Sequence, residues 1–539
     1  MMTHLHRNWE SYRPRRKVVA LATGIAIVLL AASFQIPPVS PGLSPAEARG
    51  RSIYRTGISP SGVRITASMG EGGTEIEGQL APCGSCHGMD GRGRPEGSIV
   101  PPSIRWEDLT RTYQAAPPSA RERGPYNEQL LVRAITMGFD SKGNRLNAAM
   151  PHYALTRSDA ADVIAYLKKI SRDYDPGLSD EVVRIAVLLP SNSKYPGLSP
   201  AIQSSLTAYF AELNKGGGLY GRQVELLFRE LPPEPQKAAP AFRSLLEQEQ
   251  IFAFITSFVA GSEKEIAAVL QEQKVPLVGA WTVLPEAAPS PNSPVFYLDS
   301  GLRGQAEALA AFAVRQYAGA GNTLAFVVSH GVDDELAHAA VDAARSKLAG
   351  SPWVSAKVEI GSSDAAGADA LVQRLSAAKL KVVFPLLRRP QLIALLGAIK
   401  RATWKPVLLI PSALSAGISL QSFPGPVFLA IPWMPSDLEP DAAIEYQKLV
   451  SAYGLSRDHR ETQFIALAEA KILTEALKRS GRELSRERLI GSLESLYDFH
   501  SGFSQPVTFG ASRRIGITRF HVVSVDPLTG ALTEAQRSH

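Results

Sequence analysis

The order of apolar and polar positions divides the chain into three stretches of different character. An apolar run over residues 18–34 follows Arg13, Arg15, Arg16 and Lys17, and a spacer with Pro37, Pro38, Pro41 and Pro45 comes after it. Over residues 49–170 glycines break the pattern first, and two helical periodicities follow. Leu130, Leu131, Ala134 and Ile135 mark one face of a helix at 127–137; Val163, Ile164, Tyr166 and Leu167 mark another at 158–170, with Ser158 as its expected cap. Because Gly and Pro crowd the region before Cys83, residues 53–68 are expected to be extended.

Polar residues around Asp175-Pro176-Gly177 then break the chain, and from Val182 the pattern changes to strand and helix in alternation. Strands are expected at 183–189, 224–228, 252–256 and 275–278, with helices at 200–213, 237–249 and 262–273 between them. A second series begins near Gly304, with strands at 324–328, 353–359, 382–386 and 407–410 and helices at 304–317, 335–348, 366–378 and 391–401. Such alternation builds βαβ units and parallel sheets, and two series imply two lobes.

Size and charge narrow the function. A chain of 539 residues exceeds one ordinary core. The net charge of +6 comes without a clustered basic stripe, which argues against nucleic-acid binding, although a basic face could steer an acidic redox partner. The N-terminal charges and apolar run are those of an export signal, and Ala46-Glu47-Ala48 supplies a small-x-small cleavage pattern. Residues 1–48 are therefore expected to be a signal peptide or an N-terminal membrane anchor, the only contact with the membrane, and the body is expected to be periplasmic.

The chemistry is concentrated in Cys83-Gly84-Ser85-Cys86-His87, which holds both cysteines of the chain. On one helical turn the two thiols can each add to a vinyl group of one haem while the histidine reaches the iron; the pattern is a c-type haem attachment signal. A Cys83–Cys86 disulfide would close a very short loop and stabilise little. A thioredoxin-like pair needs a strand before it and a helix after it, whereas Pro82 precedes this one and a Gly- and Arg-rich loop follows. A zinc site needs further ligands, and there is no third cysteine. One covalent haem c is the expected cofactor.

The sequence Cys83 to His87, a loop, Met150-Pro151 and a closing helix resembles the class I cytochromes c over about 120 residues, 49–171. The resemblance implies a small all-α domain in which Cys83 and Cys86 bind the haem, His87 is the proximal iron ligand and Met150 the distal one. Met137 reads as helix core and Met89 is too near His87 to reach the opposite haem face; His152 remains the rival that would give a bis-His site.

After a linker at 172–181, residues 182–539 resemble the type I periplasmic solute-binding proteins, in particular the branched-chain amino acid group. The likeness rests on Ile185-Ala186-Val187-Leu188-Leu189-Pro190, on the turn from Leu213 to Gly221, on Val275-Pro276-Leu277-Val278 and on residues 513–525. It implies an α/β fold of two lobes with a ligand cleft between them. Matching positions for ligand contact are Ala260 and Gly261 (beside Val259), Trp281 and Thr282 (beside Val283), and Ser412 where a carboxylate would pair with a ligand ammonium. Asp333 and Asp334 stand where a tyrosine is expected, a second departure from amino-acid binders.

Within the turn, Gly216 to Gly221 matches G-x-G-x-x-G, but it follows a helix and precedes a strand, the reverse of a dinucleotide site. No nucleophile–base set, H-E-x-x-H or Walker loop stands out; His330 reads as a loop histidine, and Glu263 and Glu265 as an exposed helix face. The expectation is an electron carrier and binding protein rather than an enzyme. Its partners would be a redox protein, such as a periplasmic dehydrogenase or another cytochrome, and a small-molecule ligand. The alternative is a receptor for an ABC importer, with a permease as partner and an accessory haem domain.

Overall fold

A computed structural model describes residues 43–537 except 71, 94–98, 115–121, 287–292, 318–321, 330–333 and 361–364. Residues 1–42 of the expected export segment at 1–48 and the residues His330 and Asp333 lie outside this set. Among the described residues, no helix is long and apolar enough to cross a membrane.

The N-terminal domain is built on a helix pair. Helix Pro45–Thr56 starts from a capping box, in which Ser44 and Glu47 satisfy each other's backbone N–H, and ends on Gly57 in the left-handed conformation. It crosses helix Arg157–Leu167 at Gly50, where a Cβ would lie 1.9 Å from the carbonyl oxygen of Asp162. Arg49 clamps the crossing through two bonds to Asp162, at 2.7 and 2.9 Å. Residues 53–68 are therefore not one extended wrap: the first four belong to this helix, and only Thr66–Met69 is a strand. The helix was hidden by its Pro45 and Gly50, which suit an N-terminal turn and a close crossing respectively. The closing helix is capped by Thr156, which accepts from Asp159 N, rather than by Ser158.

Helix Glu128–Met137 supplies the third wall, with Leu131, Ala134 and Ile135 buried. A small antiparallel sheet of Thr74–Glu77, Thr66–Met69 and His152–Ala154 completes the domain. Its core gathers Ile53, Tyr54, Leu131, Tyr153, Val163, Ile164, Tyr166 and Leu167.

From Val182 onward the expected two-lobed α/β architecture is present. The first lobe has a parallel sheet in the order Ile515–Ile517, Val295–Asp299, Leu277–Trp281, Ala253–Phe258, Val182–Leu189, Gln223–Glu230. The second has Val354–Ile360, Thr323–Ser329, Val382–Leu386, Val407–Pro411 and Val427–Ile431 in parallel, extended antiparallel by His521–Val525 and Leu532–Arg537. The chain crosses between lobes after Asp299, after Ile431 and after Ile517, so neither lobe is a continuous segment. Helix Arg460–Ser480, reached by the second crossing, returns to pack its Ala466, Ala470 and Leu473 into the first lobe. Gly216 to Gly221 forms the tight turn between helix Leu198–Lys215 and strand Gln223–Glu230, with no helix N-terminus after it.

Candidate functional sites: the haem-attachment turn and the cleft

Cys83 to His87 forms one short helical turn after Pro82. Both thiols are free. Burial pushes the Cys83 thiol up to about 11, the opposite of the depressed pKa of a reactive CxxC pair. Among the described residues no three His, Cys, Asp or Glu side chains converge as metal ligands.

His87 is buried, and its Nδ1 lies 3.1 Å from the carbonyl oxygen of Pro102. The loop after the motif makes that contact possible. Gly93 donates to His87 O at 2.8 Å and Ile104 donates to Gly91 O at 2.7 Å, folding 88–93 back onto 101–104. Gly93 has a positive φ of 93°, and a Cβ there would meet Pro101 O at 1.9 Å. With Nδ1 engaged, Nε2 is the nitrogen left for iron, and burial shifts the imidazole toward its neutral form. Tyr54, on the N-terminal helix, donates to Gly88 O at 2.6 Å and holds the end of the turn.

Met150 is half-buried against the domain core, and three residues later Tyr153, in strand His152–Ala154, donates to Ala81 O, joining that strand to the approach to Cys83. His152 turns its ring onto Gly138, where a Cβ would lie 2.0 Å from Nε2. Met137 is the last residue of its helix and 59% exposed, so its expected core role is corrected. Leu80 and Val100, adjoining the motif and Pro102 in sequence, are also left largely exposed. Cys83 and Cys86, which form no disulfide, the buried His87 imidazole on the same turn and the half-buried Met150 thioether of the same domain core are groups of the kind that hold a haem c.

The loop after the motif also meets the first lobe. Glu483 pairs with Arg92, and with Arg105 at 3.3 Å; Arg488 reaches Asp90 at 3.4 Å. In the connecting segment, Asp175 accepts from Arg486 N at 2.7 Å and Leu178 is buried in the first-lobe core.

In the two-lobed domain the expected ligand residues sit at the carboxyl ends of strands, where open α/β sheets bind ligands. Gly261 and Thr282 come together through a residue that sequence reasoning dismissed. Glu263, first residue of helix Glu263–Gln273, accepts from Gly261 N at 2.9 Å and from the Thr282 hydroxyl at 2.6 Å. It is half-buried rather than part of an exposed face; Glu265 is exposed as expected. Periodicity could not reveal this, since the side chain turns back from the first turn of its helix.

Trp281 directs its Nε1–H inward to Glu469, so only its ring remains for other contacts. Ser412 opens a short helix on the second lobe, where Ala413 N donates to Gln305 Oε1 at 3.0 Å. Lys264 reaches across to Glu335 at 3.0 Å, so the start of helix Glu263–Gln273 faces the second lobe. Asp334 caps helix Glu335–Leu348 through Leu336 N and Ala337 N.

Residues 182–531, more than half of the chain, match the family described as periplasmic binding protein. The chain belongs to that family. Residues 79–171 match the cytochrome c family, so this periplasmic binding protein carries a cytochrome c domain at its N-terminal side. Among solved structures it is similar to a fatty acid ABC transporter substrate-binding protein from Thermomonospora curvata, at 16% identity and TM-score 0.53, over 68% of this chain and 94% of that one. It is also similar to a branched chain amino acid ABC transporter from Thermus thermophilus with bound valine, at 17% identity and TM-score 0.52, over 66% and 95%. At such identities the likeness is one of fold. No curated protein matches the chain at a significant level.

Proposed function

We propose that the protein is an exported c-type cytochrome that passes single electrons, fused to a domain that recognises a small molecule or a partner dehydrogenase. The observation that carries the reading is His87, buried in the attachment turn with Nδ1 held by Pro102 and Nε2 left for a metal. When bound, haem supplies a one-electron couple whose potential the axial ligands set. Cys83 and Cys86 would anchor it, and His87 and Met150 would be its iron ligands. The packing of the His152 ring on Gly138 supports Met150 over His152. Both families are typically periplasmic, in keeping with the basic and apolar N-terminal segment.

The salt bridges of Glu483 and Arg488 attach the haem domain to the first lobe, so closure of the cleft would move the second lobe relative to the haem. A second reading, delivery of a solute to an ABC permease, is supported by the fold neighbours, which are substrate-binding proteins of such transporters.

The test is spectroscopy on the purified full chain. Haem that resists acid–acetone extraction, a ferric spectrum with the weak far-red methionine band, and loss of that band with a lower potential in Met150→Ala are the expected results. An unchanged spectrum in Met150→Ala together with an altered one in His152→Ala would make His152 the ligand. A chain that carries no haem after expression with a haem c maturation system would sink the electron-transfer reading.

A further inference from the structure

The ligand-recognition reading leaves the class of ligand open, and the bonds of Glu263 bear on it. A backbone N–H at the start of a helix and a hydroxyl at the end of the neighbouring strand are suited to an anion. Here Gly261 N–H, at 2.9 Å, and Thr282 Oγ1–H, at 2.6 Å, are both spent on the chain's own carboxylate. The Thr282 oxygen in turn accepts from Leu284 N at 3.0 Å, which fixes the hydroxyl toward Glu263. The same helix start faces the second lobe through the Lys264–Glu335 pair. Nearby, the rings of Tyr195 and Phe258 pack at 5.1 Å, and the Trp281 ring has its polar edge turned inward. The first-lobe wall therefore offers aromatic surface and one fixed acceptor, with Gly261 N–H and the Thr282 hydroxyl already engaged.

We propose that Glu263 is a specificity residue: it occupies the place a ligand carboxylate would take, so the cleft selects a small apolar ligand ending in a hydrogen-bond donor, an alcohol or an amine. This rests on the reading that the two-lobed domain binds a small molecule. A ligand carboxylate would have to displace Glu263 from two hydrogen bonds or sit beside its negative charge. A hydroxyl or ammonium meets an acceptor with lone pairs to spare.

The experiment is calorimetric titration of the full haem-loaded protein with four probes of one branched skeleton: 3-methyl-1-butanol, 3-methylbutylamine, 4-methylpentanoate and leucine. Wild type is expected to bind the alcohol or the amine at least about tenfold more tightly than either carboxylate, a discrimination of the size a buried polar mismatch produces. Glu263→Ala is expected to lose that preference and to gain carboxylate binding by about tenfold, because Gly261 N–H and the Thr282 hydroxyl become free. Glu263→Gln keeps one acceptor oxygen and removes the charge: a loss for the amine with alcohol binding retained indicates charge pairing, and a loss for both indicates that the replaced carboxylate oxygen is the acceptor. Glu263→Gln is nearly isosteric and also covers the case in which Glu263→Ala misfolds: an unchanged ranking of all four probes in Glu263→Gln likewise overturns the inference. Carboxylate binding by wild type as tight as alcohol or amine binding overturns the inference and leaves ligand recognition standing. An unchanged preference in Glu263→Ala also overturns it. No binding of any probe by wild type or variants overturns the inference and the ligand-recognition reading together.

Discussion

The indole Nε1–H of Trp281 lies 3.1 Å from each carboxylate oxygen of Glu469. The pair joins a strand end at the cleft to helix Arg460–Ser480 behind the sheet, and Gly279 leaves the space for it: a Cβ there would meet the Glu469 carboxyl at 2.1 Å. Burial, reinforced by Asp299 and partly offset by the bond from Trp281, pushes the carboxyl from 4.5 up to about 8.

The folded protein therefore favours the protonated, neutral form of Glu469, and its effect on stability has a definite sign. Between its ordinary value and about 8 the folded state holds a proton that the unfolded state releases. Its contribution is full below the ordinary carboxyl range and is lost as pH rises toward about 8, at up to about 1.4 kcal/mol per pH unit. Glu469→Gln, isosteric and never charged, is expected to flatten this slope in urea denaturation followed at several pH values.

A second pair ties two of the lobe crossings. His521, at the third crossing, lies with Nε2 2.8 Å from Asp437 and Nδ1 3.2 Å from Glu534. Burial opposes the charge on His521, but the bonds with Asp437 and Glu534 outweigh it and raise the imidazole above 6.5. Its contribution is full below the unfolded value and is lost as pH rises through the folded one. Asp437→Asn is expected to cost about 1.5–3 kcal/mol at low pH and less at high pH. Chemical denaturation of the two proteins at both ends of that range checks it.

Gly50 carries the helix crossing of the haem domain. Alanine there would drive a methyl group into the Asp162 carbonyl, and backbone on both sides must shift. A destabilisation of about 1–3 kcal/mol is expected, read as an earlier loss of haem-domain structure in thermal unfolding monitored in the Soret region. A melt equal to wild type would mean the helices cross elsewhere.

The contact between haem domain and first lobe rests on a few partly exposed charges, each worth at most about 1 kcal/mol. Glu483→Ala with Arg488→Ala is expected to leave the melting temperature nearly unchanged while speeding proteolytic cleavage between Asp173 and Ser179. A cleavage rate equal to wild type would show that Asp175 and Leu178 hold the segment without those charges.

How much of this was legible in the sequence follows from the range of each interaction. The haem-attachment turn, the alternation of strand and helix and the break near Asp175 are local patterns, and periodicity and spacing carry them whole. Helix Pro45–Thr56 was missed because its Gly50 lowers helix propensity but is needed by a partner more than a hundred residues away. Helix Arg460–Ser480 was missed because its largely buried, two-sided packing blurs the amphipathic period.

By itself the sequence determined that the chain has two parts, a cytochrome c domain and a two-lobed α/β binding domain, because the Cys83–His87 motif lies within one turn and sheet topology follows the order of elements. Only the tertiary structure decided where the side-chain bonds go. That Pro102 takes Nδ1 of His87, that Glu469 takes the edge of Trp281 and that Glu263 fills the cradle of Gly261 and Thr282 are matters of a few ångströms between segments that the fold brings together. Hydrogen bonds depend steeply on such distances and angles, and the spacing of residues along a chain does not contain them.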